Sequence, residues 1–196
     1  GAFVGIADDF SAVFWNPAGA ASFRQTTFGA YAVDLIPKAT YHLQYEISVP
    51  EVYPIDAKTK VSHYLGGMAA YYKPISSRIV VGLGLSTPSG LGTMWDGADF
   101  VTEMGGTAYD LSSKVGVFSL SPLIAVRLNE WLSVGATLNI NKGNFNLKMP
   151  AGFADLGEET VDLGQYEENM NGWGFGATFG VLAKLGAAIF RVDVVV

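Results

Sequence analysis

The 196 residues are 49% hydrophobic and 13% aromatic but only 15% charged, so the chain can build a large core and has little of the charge that a soluble surface wears. A net charge of −6 with 12 scattered basic residues excludes nucleic acid as a partner, and the absence of cysteine excludes disulfides, thiol nucleophiles and cysteine metal sites. Mean hydropathy is +0.28, yet no run of 18 apolar residues occurs, so a transmembrane helix is not predicted.

The chain opens at Gly1-Ala2-Phe3 with neither an initiator Met nor a signal peptide, which reads as a mature or cropped product. The first distinctive stretch is "DDFSAVFWNPAGAASF", Asp8 to Phe23. Asp8 or Asp9 can cap a short helix reaching Trp15. Asn16 can cap a second turn with Pro17 at its first position, where a missing N–H does no harm. Two short helices meeting at a corner, rich in Phe10, Val13, Phe14 and Trp15, need something to bury them.

Period-two alternation follows. Strands are predicted over Thr26 to Ile36, His63 to Tyr72, Ile79 to Ser86 and Val115 to Arg127. In "WLSVGATLNINKGNFNLKM" the residues Leu132, Val134, Ala136, Leu138 and Ile140 share one face, and Ser133, Gly135 and Thr137 share the other. After Lys142-Gly143 the apolar phase moves to Phe145, Leu147 and Met149, as one extra residue in a bulge would cause. "NGWGFGATFGVLAKL" sets Trp173, Phe175, Ala177 and Phe179 against an opposite face of glycines and Thr178, and Ala187 to Val196 is the last strand predicted. These about seven strands reach the roughly ten residues that a tilted strand needs to cross a bilayer.

Short connections, Lys73 to Arg78 and Asn129-Glu130, alternate with long ones: His42 to Ser62, Thr87 to Lys114 and Pro150 to Asn171. Tyr71, Tyr72 and Trp131 flank short turns, while Trp95 and Trp173 lie at the long-loop end, as two interfacial girdles require. The expected fold is therefore all-β: a transmembrane antiparallel β-barrel with residues 26–196 supplying strands and extracellular loops, and Leu132, Val134, Ala136 and Leu138 facing lipid.

Four stretches carry a resemblance: "GIADDFSAVFWNPAG", "VGLGLSTPSGLGTMW", "LSPLIAVRLNEWLSVGATLNI" and "GWGFGATFGVLAK". In this order they resemble the FadL/TodX family of outer-membrane transporters for long-chain fatty acids and other hydrophobic compounds. The resemblance implies a larger, even-numbered barrel of which these strands are part. It makes residues 1–25 a hatch that plugs the lumen, with Asn16, Pro17 and Ala18 as its motif and Phe10, Phe14 and Trp15 as its buried apolar side chains. It further implies a monomeric passive channel in the bacterial outer membrane, surrounded by lipid and lipopolysaccharide, whose substrates leave through the barrel wall.

Two long loops carry apolar residues that would otherwise be an exposed liability. Leu91, Met94, Trp95, Phe100 and Met104 in one, and Phe153 and Leu156 in the other, are the expected ligand-binding residues. The alternative is a structural or adhesive barrel whose loops bind a partner. Chemistry is sparse: Ser86 lacks a nucleophile-elbow context, and His42 and His63 lack paired spacing. Neither an enzyme, a metal nor a cofactor is expected; the acidic Asp155, Glu158, Glu159, Asp162, Glu167 and Glu168 read as a solvated loop surface, the alternative being a divalent cation shared with lipopolysaccharide phosphates.

Overall fold

In the computed structural model the described residues are 5–47, 51–101, 107–157, 159–185 and 188–195. One antiparallel sheet dominates. Its strands are β1 (Thr27–Leu35), β4 (Tyr64–Pro74), β5 (Ile79–Trp95), β6 (Leu111–Arg127), β7 (Leu132–Pro150), β10 (Gln165–Leu185) and β11 (Ala188–Val195), hydrogen-bonded in that order. Two small hairpins sit in long connections: β2 (Thr40–Ile47) with β3 (Glu51–Lys58), and β8 (Phe153–Asp155) with β9 (Thr160–Asp162). Among the described residues no helix is long and apolar enough to cross a membrane. The strands are long enough: β5 and β6 run 17 residues, β7 runs 19 and β10 runs 21, against the roughly ten that a crossing requires.

Turns at one end are short, between β4 and β5 and between β6 and β7, while residues 36–63, 96–110 and 151–164 extend from the other. The middle and last long connections are shorter than the expected Thr87 to Lys114 and Pro150 to Asn171. β5 runs on through Pro88 and two glycines because β6 supplies a full ladder of partners out to Trp95, and Glu167 and Glu168 lie in β10.

The N-terminal segment lies on the inner face of this sheet. Helix α1 (Ala12–Trp15) turns at Asn16 into a 3-10 helix over Pro17–Ser22, which packs on β6, β7 and β10 at the short-turn end. The Asn16 side chain accepts a hydrogen bond from Ala18 N–H at 3.0 Å, closing the corner with Pro17 at the first helical position. Asp9 rather than Asp8 organises the entry, accepting from both the Ser11 amide and its hydroxyl at 2.7 Å. Ala12, Val13, Ala20 and Ala21 join Met68, Ala70, Tyr72, Val80, Leu123 and Ala125 in the buried core.

Two strand glycines explain how close this approach is. A β-carbon at Gly180 would overlap the Asn16 side chain, and one at Gly135 would overlap the backbone of Pro17 and Ala18. The glycine face of β10 is thus a seat for the segment.

Three expectations are corrected. Tyr72 is not a girdle residue: it is 0% exposed beneath the N-terminal segment, while Tyr71, on the opposite face, is exposed. Phe14 and Trp15 are not buried but 43% and 42% exposed, because they project from the side of α1 away from the sheet and stack edge-on at 5.0 Å. There is no bulge at Lys142-Gly143. β7 pairs in unbroken register with β10 from Leu132 to Pro150, and keeps one register against β6 as well. The register break is in β5, between Ser86 and Ser89.

Candidate functional site

An unbroken β7 places Phe145, Leu147 and Met149 on the inner face with Ser133, Gly135 and Thr137, opposite Met170, Glu168 and Tyr166 of β10 and, for Phe145 and Leu147, Val115 and Ser113 of β6. The inner wall therefore has three levels. At the short-turn end sits the N-terminal segment. Above it runs a polar belt, in which the Ser121 hydroxyl donates to Asn139 at 2.8 Å and the Asn139 amide donates to Thr178 at 3.1 Å. Above the belt the inner wall carries Val117, Val115, Phe145 and Met170, with Ser113, Glu168 and Tyr166 toward its upper edge.

At the level of the belt the wall is interrupted. β4 and β5 pair from Pro74/Val80 up to Met68/Ser86 and no further. The extra residue in β5 lies just above, where the Thr87 hydroxyl accepts from the Gly67 amide at 2.7 Å. Pro88 is tolerated there because a bulge needs no ladder donor. Among the described residues, pairing resumes across the gap at Thr59 and Trp95, with Lys60 N–H bonded to the Met94 carbonyl at 2.7 Å. In between, the Tyr64 hydroxyl lies against Gly92, buried and with no hydrogen-bond partner among the described residues.

Two cavities meet at this interruption. One, of about 280 Å³, lies on the inner side between Phe10, Phe14 and Trp15 of the N-terminal segment and Tyr31, Met68 and Ser86 of the wall. The other, of about 520 Å³, lies on the outer side and is lined by Ala32, Leu65, Ala69, Leu85 and Phe118. Tyr31, Gly67, Met68, Ser86 and Thr87 line both.

A third cavity, of about 220 Å³, lies between the long connections, lined by Phe100, Val101, Tyr109, Leu111, Phe153 and Asp162. Of the residues expected from sequence to bind ligand, Phe100 and Phe153 come together here, and Trp95 meets Phe100 with ring centroids 6.0 Å apart. Leu91 and Leu156 are exposed and line none of these three cavities. Met94 sits at the end of β5 beside Lys60, and Met104 lies outside the described residues. The Tyr109 hydroxyl donates to Asp162 at 2.6 Å, which holds that carboxyl below the usual carboxylate range and raises the phenol above its own. Among the described residues no group of His, Cys, Asp and Glu could hold a metal ion. The wall interruption was missed from sequence, although Thr87-Pro88 inside an otherwise strand-like run is the signal that marks it.

The fold matches known structures along most of its length. A crystal structure of a Pseudomonas aeruginosa FadL homologue superposes with a TM-score of 0.61 at 17% identity, over 91% of this chain and 45% of that one. The P. putida toluene transporter TodX superposes with a TM-score of 0.63 at 15% identity, over 94% of this chain and 57% of that one. The chain thus spans about half the length of these structures. No curated protein sequence matches it. The profile of the family described as "Outer membrane protein transport protein (OMPP1/FadL/TodX)" matches residues 1–186, and the chain belongs to that family of outer-membrane β-barrel proteins.

Proposed function

We propose that this chain forms the hatch and part of the wall of a passive, monomeric channel that carries hydrophobic small molecules across the bacterial outer membrane. The observation that carries the reading is the pair of cavities set back to back at the break between β4 and β5. A hydrophobic molecule enters through the pocket of Phe100 and Phe153 and descends the apolar upper wall. The polar belt and the N-terminal segment close the way below, so the molecule moves sideways past Phe10, Phe14 and Trp15, through the interruption, and into the acyl chains outside Leu65, Leu85 and Phe118. The drive is transfer of apolar surface from water, worth about 25 cal/mol per Å². Residues 1–25 act as the hatch, with Asn16, Pro17 and Ala18 fixing it on Gly135 and Gly180. Toluene and a long-chain fatty acid both fit this chemistry.

Ser86→Trp tests the reading. Ser86 lines both cavities, and an indole there fills the passage while leaving the Ser119 pairing intact. Uptake of toluene and of oleate by cells carrying the variant should fall at least tenfold with the barrel normally assembled. Undiminished uptake of both would leave the wall without a transport role and favour an adhesive barrel, whose loops need no break in the wall.

A further inference from the structure

The outer face of β6, β7 and β10 carries a second feature. Its apolar rungs run from Leu132 through Val134, Ala136 and Leu138 to Ile140, paired with Val126, Ile124, Leu120 and with Val181, Phe179, Ala177 and Phe175. At about 3.3 Å per residue and a tilt of roughly 40°, Leu132 to Lys142 covers a height of about 25 Å, the thickness of the apolar band of an outer-membrane barrel. The rung at Lys142, with Phe118 and Trp173 beside it, is therefore the outer interface.

Above that rung the outward residues change character at once. β7 presents Lys142, Asn144, Asn146 and Lys148. β6 presents Lys114 next to Asn146, and Ser112 next to Lys148. β10 adds Asn171, Asn169 and Glu167. Three lysines face two carboxylates here, Glu167 and Asp110, both of which act on Lys148, in a chain with 18 acidic and 12 basic residues. The strip is also held in place. The Lys142 ammonium lies 5.1 Å from the centre of the Trp173 ring and donates to Asn171 at 2.8 Å, Lys148 donates to Glu167 at 2.6 Å, and the Asn146 amide bonds to Asn169.

We infer that Lys114, Lys142 and Lys148, with the amides of Asn144 and Asn146, form a binding site for the phosphorylated sugar headgroup of lipid A in the outer leaflet. The argument is charge complementarity at a fixed height: Lys142 and Lys148, held by their neighbours, stand with Lys114 and the amide donors directly above the acyl-chain band, where the lipid's phosphates and sugar hydroxyls lie. The site rests on the outer-membrane placement proposed above but not on transport.

The test measures binding of bisphosphorylated lipid A to the assembled protein in detergent, beside the same lipid stripped of phosphate and beside phosphatidylglycerol. K114Q/K142Q/K148Q should weaken lipid A binding at least tenfold and flatten its salt dependence, and should leave toluene uptake through the wall within twofold of normal. Lys73→Gln is the control: Lys73 shares the outer face with Tyr71 but lies at the short-turn end, and it should change nothing. Binding that is unchanged in the triple variant, or lost equally with Lys73→Gln or with the dephosphorylated lipid, overturns the site. So does preference for phosphatidylglycerol, which would make the strip a general anionic surface. Should the Ser86→Trp experiment fail while the triple variant loses lipid A, the transport reading falls and this one stands.

Discussion

The two halves of β7 obey opposite rules on one uninterrupted strand. From Leu132 to Ile140 the apolar side chains face out and the inner face is small enough to seat the N-terminal segment. From Lys142 to Lys148 the outer face is polar and the apolar residues line the interior. Nothing in the backbone changes between them, since the register against both neighbours is constant. The solvent changes: hydrocarbon outside the lower half rewards apolar exposure, and above it water and headgroups reward polar exposure. Apolar side chains thus appear on the inner wall at the level where the outer wall turns polar.

The sharpest way to break the lower half is to remove its seat. Gly180→Val puts two methyl groups where Asn16 and Pro17 lie, and overpacking of this kind costs about 1–3 kcal/mol or more. We expect the N-terminal segment to be displaced while the sheet still forms, read out as rapid tryptic cleavage at Arg24 in assembled protein. Protection equal to wild type would show that the segment does not depend on the glycine seat. A smaller effect follows from Tyr72→Phe. The Tyr72 hydroxyl donates to the Phe10 carbonyl at 2.6 Å and accepts from the Val13 amide at 2.9 Å. Its loss leaves two backbone groups unsatisfied under the segment, at about 1–3 kcal/mol. Hydrogen exchange over residues 9–16 should quicken while the strands stay protected. Asn16→Ala, which removes a cap worth about 0.5–2 kcal/mol, should quicken exchange at Ala18 to a lesser degree.

Much of the lower half was legible from the sequence, because its alternation is read against a single environment. The facing of Leu132 to Ile140, the segregation of short and long turns, and the Asn16-Pro17 corner all follow from local rules. Two features escape those rules for different reasons. The phase change at Phe145 implies a bulge only where apolar residues face outward throughout, and here the environment changes along the strand. Tyr71 and Tyr72 cannot share a girdle, because adjacent residues of a strand face opposite ways. The break in the wall depends on pairing between β4 and β5: Thr87-Pro88 marks its place in β5, but how far β4 stays paired is not written in either strand alone. The β2–β3 hairpin likewise overlaps the His42 to Ser62 connection expected from sequence. Of the residues expected to bind ligand, Phe100 and Phe153 converge because separate connections fold toward each other, and sequence alone does not separate them from Leu91 and Leu156.

In the upper half that separation gives a graded test. Phe153→Ser should weaken capture of a hydrophobic fluorophore severalfold, and Leu156→Ser, at an exposed hairpin turn, should leave it unchanged. The smallest expected effect is electrostatic. Tyr109 and Asp162 line the same pocket, and their hydrogen bond is strongest when the carboxylate that accepts it is ionised. Because that bond depresses the Asp162 carboxyl, the pairing is fully present at pH values above the ordinary carboxylate range. It persists through that range and is lost only as pH falls through the depressed value. Both groups are exposed, so the pairing itself contributes little to the stability of the barrel. Its influence is on pocket shape, through the link between the 96–110 and 151–164 connections. Fluorophore capture should therefore stay flat from neutral pH down through the usual carboxylate range and decline below it, whereas Asp162→Asn should capture weakly at every pH. A wild-type decline centred on the ordinary carboxylate value would show that the Tyr109 bond does not control the pocket, and a flat profile in both proteins would show that the pocket does not take part in capture.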